Sequence, residues 1–199
     1  QMINDVQSSI SNIATEFPGY SGETIEIAGF IWFQGWNDGE NDVYKAEYES
    51  NLLNLIKDVP LDLNVPNIPI VVGLTGNGGR TINTADSWIR GLQTKIVPAQ
   101  IGAVQSTPHS VIDYAETRDF WIEPSLSPGT GLHHWNNNAE SYLRIGDAFG
   151  NKIIELQEEP VIVKDPEGAT SWGFNYLDRI HVADKHLGAG YSFYAAVFP

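Results

Sequence analysis

The sequence predicts an α/β fold with a doubly wound parallel sheet flanked by helices, because strand-like segments alternate with helical ones along the chain. Residues 24–33, 68–74 and 110–115 are rich in β-branched and aromatic residues and read as buried strands. Segments with apolar residues at helical spacing separate these strands. Such alternation places the strands parallel in one sheet, connected by right-handed crossovers.

Four segments account for the helices. Apolar residues recur every three or four positions over residues 2–17 and again over residues 42–58. The second helix should stop before Pro60, since the residue preceding a proline leaves the helical region. A third helix is expected over about residues 84–97. The last begins at Asn137, which we expect to cap it while Glu140 completes a capping box.

The chain is expected to contain one main domain, residues 1–157, and an appendage, residues 158–199. The main domain opens on a helix, although a sheet of this kind usually starts with a strand. We therefore expect the sequence to enter the fold one element late, after the first strand. In the appendage, Gly and Pro residues interrupt short apolar runs, a composition typical of β-rich or irregular structure.

Composition excludes several functions. Only 11 basic residues stand against 25 acidic ones, and the net charge of -14 disfavours nucleic acid and anionic membranes as partners. The absence of cysteine excludes disulfides, thiol catalysis and thiolate metal sites. No apolar run is long enough to cross a bilayer.

The segment GFIWFQGWNDGEN, residues 29–41, is the first candidate for a site. An apolar run ends at Phe33 and is followed at once by Gln34, Asn37 and Asp38. Ligands of open α/β sheets bind just beyond the carboxyl ends of the strands, where these polar groups are expected. The alternative is a turn in which Asn37 and Asp38 only reverse the chain.

The segment GTGLHHWNNNAESYLRIGDAFG, residues 129–150, is the second candidate. His133 and His134 stand side by side ahead of the last helix. Imidazole, with an unperturbed pKa of about 6.5, can take and return a proton near neutrality. Packing and a metal site are the alternatives. Adjacent histidines in a loop lack the helical spacing of zinc ligands and no third ligand is evident, so we expect no metal.

The order of WFQGWNDG, YAETRDFW and HHWNNNAESYLRIGDAFG resembles the sialate O-acetylesterase-like branch of the SGNH hydrolases. This branch is close to the carbohydrate esterases that remove acetyl groups from sugars. The resemblance covers roughly residues 5–156. It implies an SGNH or flavodoxin-like sheet, a carboxylic ester hydrolase acting on an acetylated carbohydrate, no cofactor, and a secreted or periplasmic location in a bacterium.

The resemblance also implies roles for particular residues. Gln34 and Asn37 match the donors of the oxyanion hole, and His134 matches the general base that later acts as general acid. The aspartate that many SGNH enzymes place three residues before this histidine is replaced by Gly131, so Asp119 or Glu123 would orient it instead. The residues expected to contact substrate are Gly35, Trp36, Asp38, His133 and Trp135.

The nucleophile is the main departure from the family. Its serine belongs to a Gly-Asp-Ser or Gly-Gln-Ser-Asn block after the first strand, and neither block is present. Ser8 and Ser9 lie in a helical pattern without the glycine turn that would expose a hydroxyl. We therefore expect a separate chain or segment to carry the serine. The alternative is a catalytically inactive carbohydrate-binding or assembly module on the same fold.

Overall fold

The computed structural model describes residues 1–107, 111–157 and 196–197. Among them the chain divides into two compact units, residues 1–26 and residues 27–157 with 196–197. The expected appendage, residues 158–199, lies outside the described residues except for two residues. The first unit contains helix α1, Met2–Glu16, which confirms the first predicted helix.

The second unit is built on a parallel sheet. Its strands are β1, Phe30–Trp32; β2, Ile70–Gly73; β3, Ile112–Ala115; and β4, Ala196–Val197. They lie in the order β3-β2-β1-β4, with Ile31 opposite Val71 and Val71 opposite Asp113. The parallel pairing and the intervening helices confirm the predicted α/β class.

The first predicted strand, residues 24–33, is much shorter in the structure. Its ladder starts where the Phe30 N–H donates to the Pro69 carbonyl, at 2.7 Å. The segment ahead of β2 contains Pro66 and Pro69, which have no N–H to donate. Residues 27–29 therefore lack a full ladder partner on that side.

Helix α2, Asp42–Asp62, extends beyond its predicted end and contains Pro60. The expected stop before Pro60 was wrong: the helix continues for two residues past this proline, whose missing N–H removes one hydrogen bond, the one to the Ile56 carbonyl. Val59 is buried, and its carbonyl accepts from the Leu63 N–H at 3.0 Å, which closes the turn.

The third predicted helix, residues 84–97, is also longer than expected. It consists of α3, Ser87–Gly91, a π-helical turn, Leu92–Ile96, and α4, Val97–Gln105. Pro98 does not end it: the proline lies directly after the π-helical turn, whose last hydrogen bond runs from the Val97 N–H to the Leu92 carbonyl.

The last helix, α5, runs over Ala139–Gln157 and is capped by Asn138 rather than Asn137. The Asn138 Oδ1 accepts from the Glu140 and Ser141 N–H groups, at 3.0 and 3.4 Å. Asn137 has a φ of 55°, outside the extended region that a capping residue needs. Instead of completing a capping box, Glu140 pairs with Arg144.

The central strand β2 is buried on both faces of the sheet. On one face, β1 to β3 pack against α5 in a cluster of Ile31, Val71, Ala115, Trp135, Ile145, Phe149 and Ile153. Ile70 and Val72, which alternate with Val71, are fully buried on the opposite face. Helix α4 contacts β3, and α2 packs on α4. The carboxyl ends of β1 and β2 therefore lie between two helical layers, α5 on one face and α4 with α2 on the other.

Candidate active site

A cavity of about 520 Å³ lies beyond the carboxyl ends of β1 and β2. Three chain segments and one helix line it: the residues after β1, the residues after β2, the histidine loop and the start of α5. The lining residues are Phe33, Gln34, Gly35, Trp36, Asn37, Thr75, Asn77, His133, His134, Trp135 and Tyr142. The structure thus brings the two candidate motifs, about 100 residues apart in sequence, to one cavity.

The segment after β1 presents two carboxamides. The Gln34 Nε2 donates to the Asp38 Oδ2 at 2.6 Å, so Asp38 holds this amide and is not itself among the lining residues. Asn37 is exposed and starts a single 3₁₀ turn, Asn37–Gly39. Gly35, between them, has a φ of +143°, which side chains rarely adopt. A glycine is required here for the chain to turn out of the sheet.

The segment after β2 contributes Thr75 and Asn77, which sequence reasoning missed. Both are buried, at 4% and 3% exposure. The Asn77 Nδ2 donates to the Leu132 carbonyl at 2.7 Å, which joins this segment to the histidine loop. Their position directly after a buried strand, at the same sheet edge as Gln34, is the signal that could have identified them.

The histidine loop is a 3₁₀ segment, Leu132–Asn137, with an unusual backbone. Trp135, Asn136 and Asn137 all have left-handed φ angles, between 50° and 55°. Each such residue costs free energy, on the order of 1 kcal/mol, and is retained only where its surroundings fix it.

Packing and hydrogen bonds supply that fixation. The Trp135 ring is buried, with its centroid 6.2 Å from that of Phe33 and 5.8 Å from that of Trp121. The Asn136 Nδ2 donates to the Ile122 carbonyl at 2.9 Å. The exposed His134 therefore precedes a turn fixed by these contacts. Trp135, expected to contact substrate, is 3% exposed and lines the cavity.

An aromatic group flanks the cavity. The Trp36 ring stacks on Trp88 with a centroid separation of 5.2 Å, and lies 5.8 Å from the His133 ring. The Trp88 Nε1 donates to the Trp36 carbonyl. The His133 and His134 rings are 4.1 Å apart. Trp88 was not predicted, because its contact with Trp36 arises only in the tertiary structure.

The structure does not bring Asp119 to this cavity. Its carboxylate is held by Arg80, with 2.7 Å between Oδ2 and Nη2, and its side chain is 54% exposed. The hydrogen bond from Arg80 lowers the pKa of Asp119. Asp119 is therefore a partner of Arg80 in a surface cluster that also includes Glu116, 3.2 Å from Arg80.

The cavity contains no serine from residues 1–107 or 111–157. Over the same residues, no three His, Cys, Asp or Glu side chains are grouped as a metal site would require. None of the helices in the described part of the chain is long and apolar enough to cross a membrane.

A cavity at the carboxyl edge of a parallel sheet, lined by carboxamides and an exposed histidine, is typical of the ligand sites of α/β proteins. The profile of the family described as "carbohydrate esterase, sialic acid-specific acetylesterase" matches residues 2–115, more than half of the chain. The chain belongs to this family, which confirms the resemblance seen in the sequence. The histidine loop lies beyond the matched residues.

The chain is similar to a probable carbohydrate esterase of Arabidopsis thaliana, with 39% identity over 59 residues. That stretch is 29% of this chain and 22% of the relative. The X-ray structure of an Arabidopsis thaliana protein aligns with 20% identity and a TM-score of 0.46, covering 65% of this chain and 45% of the other. The chain thus spans less than half the length of these relatives.

Proposed function

We propose that this cavity binds an acetylated carbohydrate and supports hydrolysis of its acetyl ester. A serine hydroxyl attacks the acetyl carbonyl carbon while His134 takes the hydroxyl proton. Gln34 and Asn37 donate hydrogen bonds to the oxyanion of the tetrahedral intermediate. His134 then protonates the departing sugar oxygen, and water hydrolyses the acetyl-serine to acetate with His134 again as base.

The convergence of Gln34, Asn37 and His134 on one cavity carries this proposal. The reaction needs a proton carrier and amide donors around one carbonyl group, and residues from two distant motifs meet that need. The aromatic group of Trp36, Trp88 and His133 suits a sugar, whose apolar faces stack on aromatic rings. Family membership supports the ester as the bond cleaved.

The serine is proposed to come from a separate chain or segment, since none of the described serines lines the cavity. The same observation favours a second candidate, a carbohydrate-binding or assembly module without catalytic activity. A secreted or periplasmic location in a bacterium also remains a proposal and has only the family resemblance to support it.

Acetate release from an acetylated methyl glycoside tests the proposal, using the native full-length protein. We expect His134→Ala to abolish turnover while its unfolding curve matches wild type, because the reaction loses its proton carrier. His133→Ala is the matched control, and we expect it to raise KM while turnover continues. Wild-type turnover in His134→Ala would refute the assignment. Glycoside binding without acetate release from wild type would favour the second candidate.

A further inference from the structure

Three side chains from different parts of the fold donate hydrogen bonds to one backbone oxygen at the cavity, the Gln34 carbonyl. The Tyr48 hydroxyl on α2 lies 2.8 Å from it, the Gln100 Nε2 on α4 lies 3.0 Å away, and the Thr75 Oγ1 lies 3.3 Å away. A carbonyl oxygen has two lone pairs, so three donors exceed what it needs. Their convergence fixes the orientation of the peptide that follows Gln34.

Gln100 is at the centre of this network and is fully buried. Its Oε1 accepts from the Thr75 N–H at 2.9 Å, and its Nε2 lies 3.0 Å from the Thr75 Oγ1 and 3.3 Å from the Gly73 carbonyl. One side chain therefore ties the segment leaving β2 to the segment leaving β1. A carboxamide is costly to bury unless its groups are bonded, whereas an apolar residue would fill the space without that requirement.

Helix α3, which leads through the π-helical turn into the helix that carries Gln100, passes close to the segment after β1. A Cβ at Gly91 would fall 1.8 Å from the Gly39 carbonyl, so glycine is required where α3 crosses the Asn37–Gly39 turn. The π-helical turn, Leu92–Ile96, separates α3 from α4. Such turns often occur at functional sites, where they redirect the side chains that follow.

Tyr48 supplies a second donor from the other side of the network. Burial raises the pKa of Tyr48 to about 12, so its hydroxyl remains protonated at any pH at which the protein is assayed. It can therefore donate to the Gln34 carbonyl throughout, while the Gln100 Nε2 lies 3.3 Å from the same hydroxyl.

We propose that Gln100 is a positioning residue of the site, which holds the Gln34 peptide and Thr75 so that the Gln34 side chain meets the acetyl oxygen. This inference rests on the proposed function, because Gln100 acts through Gln34 and does not touch the substrate. The hydrogen bonds by which Gln100 holds the segment after β1, here called the tether, can be tested without measuring turnover.

Backbone amide exchange tests the tether in the full chain. Gln100→Met keeps the length of the side chain and removes its hydrogen bonds, and Gln105→Met is the control because Gln105 is exposed on the same helix. We expect exchange over residues 34–37 to become on the order of tenfold faster in Gln100→Met and to stay unchanged in Gln105→Met. Unchanged exchange in Gln100→Met would overturn the inference.

Kinetics test the catalytic consequence. In Gln100→Met we expect kcat per folded molecule to fall up to about 100-fold with little change in KM, and affinity for a phosphonate transition-state analogue to weaken in parallel.

Tyr48→Phe keeps the buried ring and leaves two donors on the Gln34 carbonyl, so we expect its kcat to fall by roughly tenfold or less. If Gln100 had only a structural role, Gln100→Met would lower the folded fraction and leave the ratio of KM to the analogue's dissociation constant unchanged. That result would overturn the proposal that Gln100 is a positioning residue. Absence of acetate release in wild type would instead count against the proposed function, while the exchange test would still stand.

Discussion

Gly35→Ala adds only one methyl group, yet we expect it to lower the free energy of unfolding substantially. The substituted residue would be held at a φ of +143°, which costs about 1–3 kcal/mol for a residue with a side chain. Its Cβ would also lie 2.7 Å from the Thr75 Oγ1 and 2.8 Å from the Ile96 Cγ2. Such overpacking costs a further 1–3 kcal/mol or so, giving a loss of about 2–6 kcal/mol in the free energy of unfolding.

Urea unfolding followed by tryptophan fluorescence measures this loss. Gly146→Ala is the matched control, because Gly146 lies within α5 and an added Cβ there would meet nothing within 4 Å. In a helix this control should stabilise the protein by up to about 1 kcal/mol. A Gly35→Ala protein within about 0.5 kcal/mol of wild type, the usual range for a surface substitution, would refute the reasoning.

Two further predictions concern the elements that support the site. Asn138→Ala should lower the free energy of unfolding by about 1 kcal/mol in urea titrations, because it removes the cap of α5; an unchanged midpoint would show that the cap is not needed. Arg80 lowers the pKa of Asp119, so the stability from this pair is present at neutral pH and is lost as the pH falls through the lowered pKa, below about 4. Asp119→Asn should therefore be slightly less stable than wild type at pH 7, and this difference should shrink as the pH falls below about 4; a difference independent of pH would contradict the pairing.

The fold and the location of the cavity could be predicted from sequence because both follow from local pattern. Apolar segments with strand composition, separated by helical ones, specify the parallel sheet. Because ligands of such sheets bind beyond the carboxyl ends of the strands, Gln34 and Asn37 follow as candidate site residues. His134 was found from chemistry and family resemblance rather than from periodicity. Its relation to Gln34 required the folded chain.

Residues that act through tertiary contacts could not be predicted. Asp119 follows a strand and looked available, but its partner Arg80 lies 39 positions earlier and no spacing indicates the pair. Gln100 reads as one polar residue in an apolar helical stretch. Its role becomes visible only when the helix lies beside Gln34 and Thr75.

Helix ends were misplaced for a related reason. Sequence rules treat Pro60 and Pro98 as helix stops, yet α2 continues for two residues past Pro60, and Pro98 lies directly after the π-helical turn that leads into α4. Asn137 and Asn138 are equally good capping residues by type. The left-handed turn after His134 decides between them.

Fluorophosphonate labelling of the native full-length protein, with peptide mapping, tests most directly whether the cavity is hydrolytic. Labelling requires a serine activated by a histidine beside an oxyanion hole. We predict label on a single serine in wild type and a loss of that label in His134→Ala with the fold intact. Absence of label in wild type, or label undiminished in His134→Ala, would contradict hydrolysis through His134.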